Sequence, residues 1–176
     1  MAKGVVMVKA VIVCVSVSHG NTRRVADSMA EVLGAKVVTP EEADLGELGE
    51  ADVVGFGSGV FYGRLHPRLT GFVKGLPGPS ATRWGRAFVF ATSGLPGLPL
   101  VPFARPLGRV LESKGFEVAG SGEGEGEGEV AGSFSCRGYD TWAPFKLVGG
   151  INRRRPNAGD LAAAREFAGR VGGGDA

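Results

Sequence analysis

At 176 residues the chain is long enough to bury one substantial core and short for two, so a single domain over 1–176 is expected. With 43% hydrophobic and 22% charged residues it has an ordinary globular composition, which excludes wholesale disorder. A formal net charge of +2 is too small to point to nucleic acid, and Cys14 and Cys136, far apart, form neither a disulfide framework nor a zinc motif.

The apolar run Val5–Val15 is too short to cross a bilayer and contains Lys9. Met1–Gly4 has the basic start of an export signal, but no small-residue cleavage site follows, so a cytoplasmic protein without membrane insertion is expected. From Val8 to Val15 the run is β-branched and nearly continuous in apolar character, as in a central parallel strand covered on both faces. A polar turn, Ser16–Thr22, follows. Val25, Ala26, Met29, Ala30, Val32 and Leu33 then recur at helical spacing, and Gly34 supplies the stop. Ala35–Thr39 returns as a short second strand, completing a βαβ unit.

The alternation continues down the chain. Val53–Gly57 predicts a third strand, ended by Gly57-Ser58-Gly59, and Leu69, Phe72 and Val73 mark a short helix after Pro67. Ala87–Ala91 predicts a fourth strand, closed by Thr92-Ser93-Gly94. Phe103, Leu107, Val110 and Leu111 form a helical stripe whose regular part Pro102 and Pro106 are expected to delay. Phe116–Gly120 begins a fifth strand, and Leu161, Ala164, Phe167, Ala168 and Val171 predict an amphipathic last helix. Strands alternating with helices make an α/β protein, a parallel sheet with helices on both faces. The alternating Gly/Glu stretch 122–129 is poor in helix and strand propensity and reads as a solvated, mobile loop interrupting or extending strand five. The glycine-rich tail 172–176 is expected to fray.

In open parallel sheets ligands bind beyond the carboxyl ends of the strands, where the strand order reverses. The loops that matter are therefore Ser16–Thr22, Gly57–Arg64 and Thr92–Gly97. The first wraps hydroxyls, an amide and a glycine around a helix start, where free N–H groups and the helix dipole favour an anion. Ser18, Asn21 and Thr22 add donors, and Gly20 permits close approach. No lysine is present and GxxxxGK[ST] is absent, so a phosphate monoester fits better than a hydrolysed triphosphate. A plain capping turn is the alternative. A phosphoaccepting receiver site fails, since strand three ends Phe56-Gly57 and strand one ends Val15-Ser16, without the required acids. A Cys-x5-Arg phosphatase loop fails too, because Gly20 stands six residues beyond Cys14.

Ser16-Val17-Ser18-His19-Gly20-Asn21-Thr22 resembles the phosphate loop of the flavodoxins, with His19 where small residues are commoner. Asp52–Gly63 resembles the second flavin-contacting loop of that family, and Ala91-Thr92-Ser93-Gly94 the third. The resemblance implies a doubly wound sheet of five parallel strands in the order 2-1-3-4-5, with FMN as cofactor. It places the FMN phosphate among Ser16, Ser18, His19, Gly20, Asn21 and Thr22. Ser58, Gly59, Phe61, Tyr62 and Gly63 would lie on one side of the ring and Thr92, Ser93 and Gly94 on another. FMN is favoured over FAD because no adenine-binding module remains to be assigned.

The stretch Gly132–Asn152 resembles a branch of flavodoxin-domain proteins of poorly defined role. Cys136 beside Arg137 reads either as a thiol of lowered pKa near the flavin or, more plainly, as a small buried residue. Cys14 reads as packing. His66 reads as an exposed loop histidine or a proton donor, and Arg153-Arg154-Arg155 as a solvated run or a dock for an acidic partner. The leading functional expectation is electron transfer to a redox partner protein. Unlike the acidic carriers of the family, the chain has a pI near 8.7, and Arg64 and Arg68 are expected near the flavin edge, where they would raise its potential. The second is an NAD(P)H:quinone-type oxidoreductase acting on a small-molecule acceptor, its pocket lined by Phe61, Tyr62, Leu95, Pro96 and Trp142. The third is a flavin-free interaction module, against which Ser18, Gly20, Asn21 and Thr22 argue.

Overall fold

The computed structural model describes residues 8–94, 101–119, 129–130, 133–138, 150 and 152–173. Strand β1 (Ala10–Val15) is buried at all six positions, because it lies at the centre of the sheet with helices over both faces. Helix α1 (Asn21–Leu33) follows and ends at Gly34, whose left-handed φ of 63° only glycine adopts without cost. Strand β2 (Lys36–Val38) pairs parallel with β1. Then come α2 (Leu45–Glu50), β3 (Val53–Phe61), β4 (Arg64–Leu65), α3 (Pro67–Gly75), β5 (Arg86–Ser93) and α4 (Val101–Lys114). The chain closes with β6 (Glu117–Val118), β7 (Glu129–Val130), β8 (Ser133–Arg137) and α5 (Ala158–Gly173).

The sheet runs β2-β1-β3-β5-β8-β7. Its five-strand parallel frame has the expected order, with the fifth position filled in two pieces. β6 pairs with Arg86 and Ala87 at the start of β5, and β8 pairs with Val89–Ser93 along the rest. β7 turns back antiparallel on β8. Residues 120–128, most of the Gly/Glu stretch, lie outside the described residues, as do 174–176; Gly172 and Gly173 belong to α5 rather than to a frayed tail.

Alternation along the strands divides the core in two. Val11, Val13, Val15, Val54, Phe56, Val89 and Ala91 face Leu48 of α2, Leu69 and Val73 of α3, and Leu107 and Leu111 of α4. Ile12, Cys14, Phe88, Phe90, Phe134 and Cys136 face Val25 and Met29 of α1 and Ala164, Phe167 and Ala168 of α5. On that second face β3 carries Gly55 and Gly57, directly opposite Phe88 and Phe90 in the register. A Cβ at Gly55 would stand 2.4 Å from the Phe88 ring, and one at Gly57 2.1 Å from the Phe90 ring, so the aromatic rings occupy the space the glycines leave.

Two local expectations are corrected. The segment after Gly57 is not loop: β3 continues to Phe61, since Ser58 and Gly59 go on pairing with Ala91 and Thr92. Val60 and Phe61 then pair with Leu65 and Arg64 of β4. Tyr62 and Gly63, at φ 49° and 75°, form the two-residue turn, whose positive φ values match the twist of a hairpin. α4 already begins at Val101: Pro102 stands in the first turn, where no N–H partner is needed, and Pro106 is held inside the helix at the loss of one backbone bond.

Candidate functional site

Strand order reverses between β1 and β3, so the loops beyond those two strands flank the natural crevice of the sheet. The register brings them together: Val15 lies beside Ser58, and Gly59 beside Thr92. All three expected loops therefore meet at one sheet edge.

In the first loop, Ser18, His19 and Gly20 are exposed, while Asn21 and Thr22 are buried. His19 and Gly20 both adopt left-handed backbone, at φ 51° and 68°, and this reversal starts α1. Gly20 is the N-cap residue and brings no side-chain cap, and the first turn of α1 holds no acidic residue. The leading N–H groups of a helix have no partner within it, so this end keeps its electrostatic preference for an anion. The Ser16 hydroxyl oxygen is buried without a hydrogen-bond partner, an unusual state for a native polar atom. A Cβ on Gly20 would meet nothing within 4 Å, so there is open space on that side.

The second and third loops are tied to the first. The Thr22 and Thr92 hydroxyls share a buried hydrogen bond of 2.8 Å, linking α1 to the end of β5. The Ser58 side chain is enclosed: its hydroxyl donates to the Gly59 carbonyl at 2.9 Å and accepts from the His66 N–H at 3.0 Å, which braces the β3–β4 hairpin. Phe61 is half-buried, edge-on to His66 with ring centroids 5.5 Å apart, whereas Tyr62 stands out at 85% exposure. A bulky residue at positive φ is strained, and such strain is concentrated at functional positions.

Two further residues complete the edge, Gly138 and Asn152. The Gly138 N–H donates to the Ser93 carbonyl at 3.0 Å, and a Cβ there would come within 2.7 Å of Asn21 Nδ2. Asn152 Nδ2 donates to the Gly94 carbonyl at 2.8 Å. The signal for Gly138 is its place just after an alternating strand; nothing local marks Asn152, because its partner is 58 residues away.

Other candidates have ordinary employment. His66 is the N-cap of α3: its Nδ1 accepts the Arg68 N–H at 3.2 Å, and burial with help from Arg68 lowers its pKa, which favours the neutral ring that cap requires. Arg68 makes a two-pronged ion pair with Glu41, so its charge is matched rather than directed at a flavin edge. Burial pushes both thiols up to about 12, Cys136 despite Arg155 and Arg24 nearby, so neither is an activated nucleophile. Arg155 is held by Asp160 at 2.6 Å, and Asp160 closes a reciprocal capping box with Asn157 at the start of α5. Leu95, Pro96, Gly97 and Trp142 lie outside the described residues. A groove of about 550 Å³ lies between β8 and α5, lined by Arg137, Arg155 and Glu166 among others.

Residues 12–77 match the family model of the flavodoxin domain. An uncharacterized protein of Methanocaldococcus jannaschii is 34% identical over 160 residues, spanning 91% of this chain and 95% of that protein. The chain belongs to the flavodoxin-like family. Among solved structures, this flavodoxin-like protein is similar to a WrbA-like flavodoxin of Agrobacterium tumefaciens, with a TM-score of 0.63 and 17% identity over 93% of this chain and 95% of that one. A flavodoxin from the domain Archaea gives a TM-score of 0.56 at 16% identity, over 93% and 96% of the two chains. The rubredoxin oxygen:oxidoreductase of Desulfovibrio gigas gives 0.63 at 15% identity, over 93% of this chain but 35% of that one. At these identities the likeness is one of fold. Among the described residues no helix is long and apolar enough to cross a membrane.

Proposed function

We propose that this flavodoxin-like protein binds FMN at the β1, β3 and β5 loops and passes electrons to a protein partner. The observation that carries the reading is the buried, unpartnered Ser16 hydroxyl beside the uncapped start of α1. A phosphate there would receive that hydroxyl, the leading N–H groups of α1 and the donors of Ser18, Asn21 and Thr22. Bound FMN supplies the redox chemistry, and the chain supplies binding, orientation and electrostatics. Gly59 keeps the β3 backbone clear, since a Cβ there would press on the Phe61 ring at 3.0 Å. Phe61 and the exposed Tyr62 offer aromatic surface to a flat ring, and Thr92, Ser93 and Gly94 offer backbone groups across from them. The match of Ser16–Thr22 to the family's phosphate loop and the kinship with flavodoxins support the same reading.

The test is the visible spectrum of the purified protein, with the released cofactor identified by mass. Stoichiometric FMN is expected. Removing that unpartnered hydroxyl in Ser16→Ala should weaken FMN about tenfold, the worth of one hydrogen bond to a charged group. A colourless protein that also refuses added FMN refutes the proposal.

A further inference from the structure

Charged side chains are unevenly distributed around the site edge. Arg24 stands in the first turn of α1, Arg64 at the start of β4, and Arg137 ends β8 opposite Ser93. Arg153 and Arg154 follow Asn152, which is anchored on Gly94. All five are exposed, and none of Arg24, Arg64, Arg137 and Arg154 is ion-paired with a described carboxylate.

Most described carboxylates near this edge are already engaged; Glu166 shares a groove with Arg137 but is not ion-paired with it. Asp27 binds Arg23, Glu41 binds Arg68, and Asp160 binds Arg155. Glu42 accepts from Thr39, and Asp44 caps α2 by accepting from the Glu47 N–H. Glu50 and Asp52 lie at the opposite end of the strands, where they hold Lys9. Among the described residues, Arg24, Arg64, Arg137 and Arg154 thus leave positive charge outside any ion pair around one opening. Such a one-signed rim steers a partner of opposite sign to that opening.

We propose that this arginine rim is the docking surface for a protein whose own contact face is acidic. The proposal rests on the redox reading above and names the partner chemistry that reading leaves open. A protein fits better than a nucleic acid. The arginines come from separate elements that meet at the carboxyl ends of the strands rather than from one basic helix or run, the exposed Tyr62 stands on the same β3–β4 hairpin as Arg64, and the net charge is small.

The test uses FMN-loaded protein, fully reduced with dithionite and desalted, against two one-electron acceptors of similar size. One is an acidic blue-copper protein and the other a basic c-type cytochrome. Each reduced flavin reduces two acceptor molecules, Cu(II) to Cu(I) or Fe(III) to Fe(II), and releases its protons to water. The second-order rate with the copper protein should fall about tenfold between low and physiological-to-high salt, while that with the cytochrome stays flat or rises. Arg137→Gln/Arg154→Gln, with its FMN spectrum intact, should lose most of that salt dependence.

An FMN-loaded protein that treats the two acceptors alike at low salt keeps the redox reading and overturns the surface. A double variant with unchanged salt dependence also overturns it. A protein that refuses added FMN yet still binds the copper protein salt-sensitively in calorimetry keeps the surface and overturns the redox reading. Tighter salt-sensitive binding of a duplex oligonucleotide than of the copper protein transfers the rim to nucleic acid and overturns the proposal.

Discussion

Replacing Gly57 by alanine puts one methyl group into the most crowded contact of the sheet. The added Cβ would lie 2.1, 2.2 and 2.3 Å from Cζ, Cε2 and Cε1 of Phe90. Carbon atoms in contact normally sit about 3.5–4.0 Å apart, so a gap of more than 1 Å must be opened. Phe90 is fully buried, with Phe88 at a centroid distance of 6.1 Å, and the ring has no solvent to swing into. Either the ring leaves its rotamer or β3 and β5 bow apart; overpacking of this kind costs about 3 kcal/mol. For a chain of this length that lowers Tm by roughly 6–12 °C. The assay is urea denaturation of flavin-free protein, read as a fall in midpoint with unchanged slope. Leucine at position 90 has no atoms where Cε and Cζ stand, so Gly57→Ala/Phe90→Leu should be more stable than the two single losses summed, by at least about 1 kcal/mol. A Gly57→Ala protein within about 0.5 kcal/mol of wild type, or a double variant that is merely additive, refutes the claim that the glycines exist to seat the rings.

Further expectations follow from the hairpin, the loop tie and the α3 cap. Tyr62→Asn places a residue tolerant of φ 49° in the turn, so flavin-free stability should rise by about 0.5–1 kcal/mol while FMN affinity falls; a loss of stability counts against the strain argument. Thr22→Val and Thr92→Val each strand one buried hydroxyl and should cost about 1–3 kcal/mol, whereas the double variant, with neither hydroxyl left, should cost less than either sum predicts. Strict additivity in thermal melts would show that the 2.8 Å bond contributes nothing. His66 has its pKa lowered in the fold, first by burial and then by Arg68, so its contribution is present when the ring is neutral and is lost as pH falls through the folded value. Wild-type Tm should therefore drop from about pH 7 to 5 relative to His66→Asn, which keeps a cap acceptor that does not titrate. Parallel profiles for the two proteins would dismiss the cap as a pH-sensitive element.

Much of this protein is written locally. The unbroken apolar run of β1, the helical spacing of Val25, Met29 and Leu33, and the stop at Gly34 each depend on neighbours a few residues away, and burial followed the periodicity there, though Val32 of the same stripe is exposed. The polar loop Ser16–Thr22 between strand and helix is legible as a candidate anion site for the same reason, since a helix start and its N–H groups are local objects. What the sequence left open depends on partners far along the chain. β3 runs on through Ser58 and Gly59 because β5 lies beside it to Thr92, and β4 exists only because Val60 and Phe61 offer it an edge. Gly55 and Gly57 look like strand breakers until Phe88 and Phe90 of the next strand are laid over them. Gly138 and Asn152 join the site through contacts with Asn21 and Gly94 that no local pattern encodes. Arg68 and Arg64, alike in sequence, part company because, among the described residues, Arg68 meets a carboxylate, Glu41, and Arg64 does not. Local periodicity determined the elements; packing across the sheet decided which glycines hold space, which hydroxyls are spent, and which charges are matched in ion pairs.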